Sequence, residues 1–539
     1  MPYMKNTFKY LLVLGMAAVG FSSCIEEEFP TDVVTNEMVA QSPAALEAMV
    51  AANNAWMTES MSVLDSHGDF GYPGICMGLD ALTSDVACGP DFGYDAEFLR
   101  WRACTSLDAD YNAPYYVWKF FYTLIKNANS ILVTFDMENL TDQQKVFAGQ
   151  SLVYRAMSYL HLARVFEYKG NWATDEDVDA FKGLTVVKVT EQTAEQDGAN
   201  NPRVPRDEMY AFIESDLLTA VELLEGYDRA KKNEINQAVA YGMLARTYLE
   251  MERWADAEAA ARKAINLSGA QLTTEAQWHN KITGFNDIAT PSWMWGIMLT
   301  SDDRVVTTGI CNFVSFMSPE ATYGYVGGTG WVSVKQIDAR LYSSIPDTDW
   351  RKRSWIDPDR SKFTYELNLP AAYLNQLPSY TPLKFRPAEG EISDPLIGSA
   401  ADFPLMRVEE MYLIEAEAAG MQDLARGKQL LTAFAQTRNA AFESVATDAR
   451  RFQDECLFQR QIEFWGEGVV FFDHKRLNKP QMRGYVGTNH FEGSRYNSPS
   501  GNPSWTTLPI PTMEVQSNAA IKAQQNPQPS AYRGDEWVE

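Results

Sequence analysis

Residues 235–269 read INQAVAYGMLARTYLEMERWADAEAAARKAINLSG, and their small side chains decide the fold. Ala245 and Tyr248 lie three apart on one helical face; after a short break, Trp254, Ala257, Ala261 and Ala264 line a second. Twelve residues separate Ala245 from Ala257, and seven separate Ala257 from Ala264. Alanine at such positions lets two helix backbones touch, because a larger side chain would hold them apart. The stretch therefore predicts two antiparallel helices packed closely as a hairpin.

These intervals are those of the small residues in a tetratricopeptide helix pair, and Tyr241 and Trp254 stand at its aromatic positions. Outward from this hairpin, apolar residues recur at three- and four-residue steps from Val146 to Phe166 and from Met209 to Leu224, with Gly226 as a stop. FPLMRVEEMYLIEAEAAGM predicts a helix from near Leu405, and KQLLTAFAQTRNAAF and RRFQDECLFQRQIEFWGEGVVFFDHKRL predict more. Between Leu272 and Phe403 the helical period fades, and Gly, Pro, Asn, Ser and aromatic residues increase. A structureless loop of that length does not suit a compact domain, so this segment reads as a second, irregular lobe. The tail WTTLPIPTMEVQSNAAIKAQQNPQ reads as extended along the surface. The expected fold is mostly α: tetratricopeptide-like hairpins forming a scaffold, with a loop-rich lobe of short strands at about 272–403.

The start of the chain has its own logic. Lys5 and Lys9 precede an apolar run, Tyr10 to Phe21, that is too short for a membrane span. FSSC then resembles the lipobox of a bacterial lipoprotein signal. That reading removes residues 1–23, acylates Cys24 and leaves one domain, 24–539. Glu26, Glu27 and Glu28 follow the anchor and resist burial in lipid. The 45% hydrophobic content of the whole sequence supports a large core, and no later uncharged stretch reaches spanning length. A formal charge of −25 repels phosphate backbones and anionic headgroups, so no nucleic-acid partner is expected and attachment falls to the lipid.

Cys76, Cys88, Cys104, Cys311 and Cys456 are odd in number, irregular in spacing and free of CxxC pairs, which suits small buried residues. The five histidines form no HExxH, and His161 lies in a packed helical pattern. The DTD at Asp347–Asp349 and the DPD at Asp357–Asp359 are too short for a calcium loop and read as turns. No metal and no cofactor is expected.

Several segments together are similar to the SusD/RagB family of Bacteroidetes surface lipoproteins. WKFFYTLIKNANSIL, YRAMSYLHLARVFEYKGN, PRVPRDEMYAFIESDL, PLMRVEEMYLIEAEA, QRQIEFWGEGVVFFDHKRLNK and LPIPTMEVQSNAAIKAQQNP resemble its successive motifs; Val469 or Val470 replaces a usual arginine. The resemblance implies a non-enzymatic protein that captures a glycan and delivers it to a SusC-like TonB-dependent outer-membrane transporter. It also implies that the acidic run directs display on the outer face. Arg407, Glu410, Glu415, Glu417, Glu463, Glu467 and Asp473 could pass for an acid/base cluster, but buried charges need partners, and a structural role suits them better than hydrolysis.

Sugars present apolar C–H faces and many hydroxyls, which call for rings and for Asp, Asn and Arg. LTSDVACGPDFGYDAEFLRWR offers Asp85, Asp91, Tyr94, Trp101 and Arg102; the lobe offers Trp293, Trp295, Asn312, Tyr323, Tyr325 and Trp331. YGYVGGTGW sets three rings among four glycines, so Tyr325 and Trp331 are expected on an exposed loop, whereas Trp293 and Trp295 favour core packing. A peptide-binding member of the same family and a structural or adhesive lipoprotein remain the alternatives.

Overall fold

The computed structural model describes residues 42–89, 101–170 and 181–531. Cys24, the acidic run, Asp91 and Tyr94 lie outside them. Eleven longer helices carry the scaffold: α1 (Pro43–Trp56), α2 (Tyr72–Ala81), α3 (Asn112–Leu132), α4 (Asp142–Phe166), α5 (Arg206–Leu223), α6 (Gln237–Glu250), α7 (Trp254–Ser268), α8 (Val408–Gln422), α9 (Leu424–Ala435), α10 (Ala449–Glu463) and α11 (Val470–Arg476). Each of α3 to α6 packs on the next, α6 pairs with α7, and α8 packs against both α7 and α9. No described helix is long and apolar enough to cross a membrane.

Local chemistry fixes the helix ends. Thr141 and Gln144 form a reciprocal capping box at the start of α4, Asn236 accepts from Val239 N–H at 3.2 Å on α6, and Gly269 ends α7 with φ +61°. Ala245, Ala257, Ala261 and Ala264 are fully buried where α6 meets α7, as the hairpin spacing requires. The same device recurs without alanine between α8 and α9. A side chain on Gly427 would run into the backbone of Gly420, and one on Gly420 would strike Phe452.

The family-like motifs converge in space. Arg155 on α4 donates to Asp216 on α5 at 2.7 Å and to Asn129 on α3 at 2.8 Å, locking three helices through one buried guanidinium. Arg203 donates to Asn526 Oδ1 at 2.8 Å, and Asn526 donates to the Phe166 and Leu508 carbonyls. The tail is therefore not an extended surface strip. Trp505, Leu508, Ile510 and Ile521 are buried in the main core, because the amides of Gln525 and Asn526 satisfy backbone groups that would otherwise be stranded there.

Four antiparallel strand pairs are present among the described residues: β1 (Val86–Cys88) with β5 (Lys335–Ile337), β2 (Leu184–Val187) with β3 (Arg203–Pro205), β4 (Trp293–Ile297) with β6 (Phe403–Arg407), and β7 (Gln481–Met482) with β8 (Asn497–Ser498). The helix expected from near Leu405 begins later, at Val408, because Phe403–Arg407 pairs with β4 as a strand. Between Leu272 and Phe403 the chain forms short helical turns around their own core of Trp278, Trp293, Trp355 and Phe385, closed by Trp465.

Candidate functional site

The junction between scaffold and lobe is dense in buried charge. Arg407 reaches Glu463 at 3.1 Å, Glu467 at 2.9 Å and Glu409 at 3.0 Å. Glu463 also takes Arg351 at 3.0 Å and Arg438 at 3.1 Å, while Lys384 donates to Glu467 at 2.6 Å. Burial opposes ionisation of Glu463, but Arg438, Arg407 and Arg351 outweigh it and hold the carboxyl well below the usual range. Glu410 is occupied by Arg246, Glu415 by Arg262, Glu417 by Arg476, and Asp473 by Arg460 and Arg476. These carboxylates thus neutralise arginines, nearly all from other elements, and none is left as a free acid or base.

The described cysteines beyond the N-terminus are buried and unpaired as disulfides. His161 packs among Tyr72, Phe121 and Phe472, and burial drives its pKa well below 6.5. Asp349 caps the turn at Trp350–Ser354, Asp357 accepts from Tyr342, and no cluster of three metal-ligating side chains occurs among the described residues.

Seven of the nominated ligand residues lie in the interior. Trp101 is 1% exposed and lies over Gly78, so its indole cannot receive a sugar. Arg102 sits over the Phe491 ring, and Asp85 accepts from Gln461 at 2.8 Å and faces His474 Nε2 at 2.8 Å. Trp293 and Trp295 are buried on β4, and Asn312 caps a short helix by accepting from Ser315 N–H. Tyr325 was expected on an exposed loop but is buried and stacks on Phe316, centroids 4.5 Å apart. The reason lies in its glycines: side chains on Gly324 and Gly327 would meet the backbone at Ser315 and Ala321, so these glycines permit close packing rather than exposure.

Among the described residues, two of the candidate rings remain accessible. Tyr323 is half-buried, its hydroxyl 3.3 Å from Ser399 Oγ. Trp331 is half-buried and has φ +66°, a left-handed backbone rare for a bulky residue. Its backbone N–H donates to Val326 and its indole N–H to Pro319 at 2.9 Å, so the ring is fixed in place. Tyr373, 38% exposed, meets it edge-to-face at 5.6 Å. The β1–β5 ladder brings the two nominated stretches together: Cys88 pairs with Lys335, and Gly89 N–H donates to Val334, so the chain reaches residue 89 beside Val332 and Trp331. Tyr373 was not legible in the sequence. It follows Pro370 in a single 3₁₀ turn, with no period to mark which side faces out.

A hairpin scaffold bearing a separate lobe, with a pinned and partly exposed ring pair on that lobe, defines a helical-repeat protein. Two family models place the chain further. One, described as starch-binding associating with outer membrane, matches residues 25–249; the other, described as SusD family, matches residues 371–528. The chain belongs to the SusD family. No curated protein matches it in sequence. Similar solved structures include a SusD-like carbohydrate binding protein from Bacteroides vulgatus, at 21% identity and TM-score 0.70 over 89% of this chain and 98% of that one. A SusD superfamily protein from Bacteroides thetaiotaomicron is 21% identical, with TM-score 0.66 over 90% and 100%. A laminarin-binding SusD-like protein is 19% identical, with TM-score 0.62 over 90% and 99%.

Proposed function

We propose that the protein is a cell-surface glycan-binding lipoprotein, anchored through Cys24 at the outer membrane, that captures oligo- or polysaccharide and passes it to a SusC-like TonB-dependent transporter. The observation that carries this reading is the match over residues 25–249 to a family described as starch-binding and outer-membrane associated. The Trp331–Tyr373 pair supports it, because two fixed rings offer apolar faces to sugar C–H groups with little ordering cost. Asp91 and Tyr94 are proposed as further ligand-binding residues. The protein acts by binding alone, consistent with signature carboxylates already engaged by arginine.

The test is a glycan array with a peptide-library control on the mature chain. A glycan hit whose affinity falls about tenfold in Trp331→Ala and in Tyr373→Ala, with unchanged melting, supports the reading. A peptide hit with no glycan hit overturns it. Cys24→Ala is expected to move the protein from the membrane to the soluble fraction.

A further inference from the structure

The lobe holds a concavity that the Trp331–Tyr373 pair does not line. Two hollows, about 760 Å³ and about 720 Å³, adjoin along Thr274, Glu275 and Arg353. Ala276, His279, Lys281, Tyr365 and Arg386 line the first; Trp350, Phe363 and Thr437 line the second. Each is within the size range of ligand sites.

Its lining offers hydrogen bonds of both senses. Arg386, 2% exposed, forms part of the wall and is held there by Glu320, to which Nη1 donates at 2.7 Å. His279 Nε2–H donates to the Trp350 carbonyl at 2.9 Å, which leaves Nδ1 as an acceptor on the neutral ring. At the waist, Arg353 pairs with Glu275, so donor and acceptor stand side by side.

The charges sort the ligand classes. Lys281, Arg353 and Arg386 are matched by Glu275, Glu366 and Glu320, which removes the positive excess a phosphate or sulfate needs. None of the lining residues belongs to a strand, so there is no edge on which a peptide could pair. What remains is hydrogen bonding of both senses beside Ile282, Leu383 and the Trp350 ring, whose N–H is already given to the Thr437 carbonyl at 3.0 Å. Neutral sugars match that combination, since each hydroxyl donates and accepts while the ring C–H face is apolar.

We infer that this cleft is a second saccharide site, separate from the Trp331–Tyr373 platform, which takes a neutral oligosaccharide whose hydroxyls meet Arg353, Glu275 and His279 Nδ1. The inference rests on the carbohydrate reading above, and the experiment separates the two. The mature full chain is titrated calorimetrically with the tightest binder among β-1,3-glucan, α-1,4-glucan and β-1,4-mannan hexasaccharides. Two hexasaccharides are expected per chain. Ala276→Trp, a change at an exposed position on the rim, should remove one of them. Arg353→Ala should weaken that same site about tenfold or more. Trp331→Ala should remove the other and leave the cleft occupied. A single site that is lost in Trp331→Ala and unaffected by Ala276→Trp and Arg353→Ala overturns the second site and leaves the glycan reading standing. No binding of any hexasaccharide overturns both.

Discussion

Trp101 and Trp331 look alike in the sequence, each in a polar, glycine-bearing stretch, yet they belong to opposite economies of the molecule. Trp101 fills the scaffold core over Gly78, whereas Trp331 is held half-exposed on the lobe by a left-handed backbone and two hydrogen bonds. The scaffold uses rings and charges to close space. The lobe, held at its base by the buried Arg407–Glu463–Glu467 cluster, spends some of its residues on keeping space open. Residues 250–370, which lie outside both family matches, hold the scaffold helix α7 and most of the lobe with Trp331, whereas Tyr373 lies inside the second match. A polar context therefore does not by itself mark a ligand ring; what distinguishes the two tryptophans is whether a neighbouring glycine admits the ring or the backbone holds it out.

The comparison can be broken most severely at the base. Glu463→Ala would leave Arg351, Arg407 and Arg438 buried without their shared carboxylate, and the expected loss is about 3–5 kcal/mol in denaturant unfolding. A small change would mean that the junction is not closed as described. Trp101→Ala is expected to cost about 3–5 kcal/mol through its cavity, whereas Trp331→Ala should leave the melting temperature near wild type and lower glycan affinity. Equal melting temperatures for the two variants would erase the distinction between core ring and platform ring. Gly427→Ala, forced against the Gly420 backbone, should cost about 1–3 kcal/mol and sharpen the case that α8 and α9 use glycine where α6 and α7 use alanine.

The smallest effect lies in the lobe cleft. Burial, only partly offset by the Trp350 carbonyl, lowers the His279 pKa to about 4. The unfolded chain therefore binds this proton more readily than the folded one, and the group's contribution to stability is lost as pH falls from about 6.5 through about 4. An NMR titration of His279 should give a midpoint well below 6.5; an ordinary midpoint would open the cleft to more water than its packing allows.

Much of the scaffold was legible because its physics is periodic. Ala245, Ala257, Ala261 and Ala264 announce their own contact, and the buried pairings of Arg155, Arg203 and Arg407 account for motifs that sequence alone could only recognise. Two errors share one cause. The tail looked extended and β6 looked helical because their placement depends on partners far away in the chain: Phe166 and Arg203 for the tail, β4 for the strand. The proposed ring platform was half legible. Trp331 stood out among glycines, but Tyr373 and Arg386 acquire meaning only when Pro319 and Glu320, neighbours in the chain, bond to Trp331 and Arg386 and so tie platform and cleft together.

The buried tail also sets a schedule. Asn526 and Gln525 bond to groups on α4, on β3 and within the tail itself, and Trp505, Leu508 and Ile510 complete the core around which the early helices pack. Those residues are made more than 300 positions after the end of α4. The first hairpins thus wait, with an unfilled seam and unmet carbonyls, until residues 505–526 reach them, and only then does the native state lock.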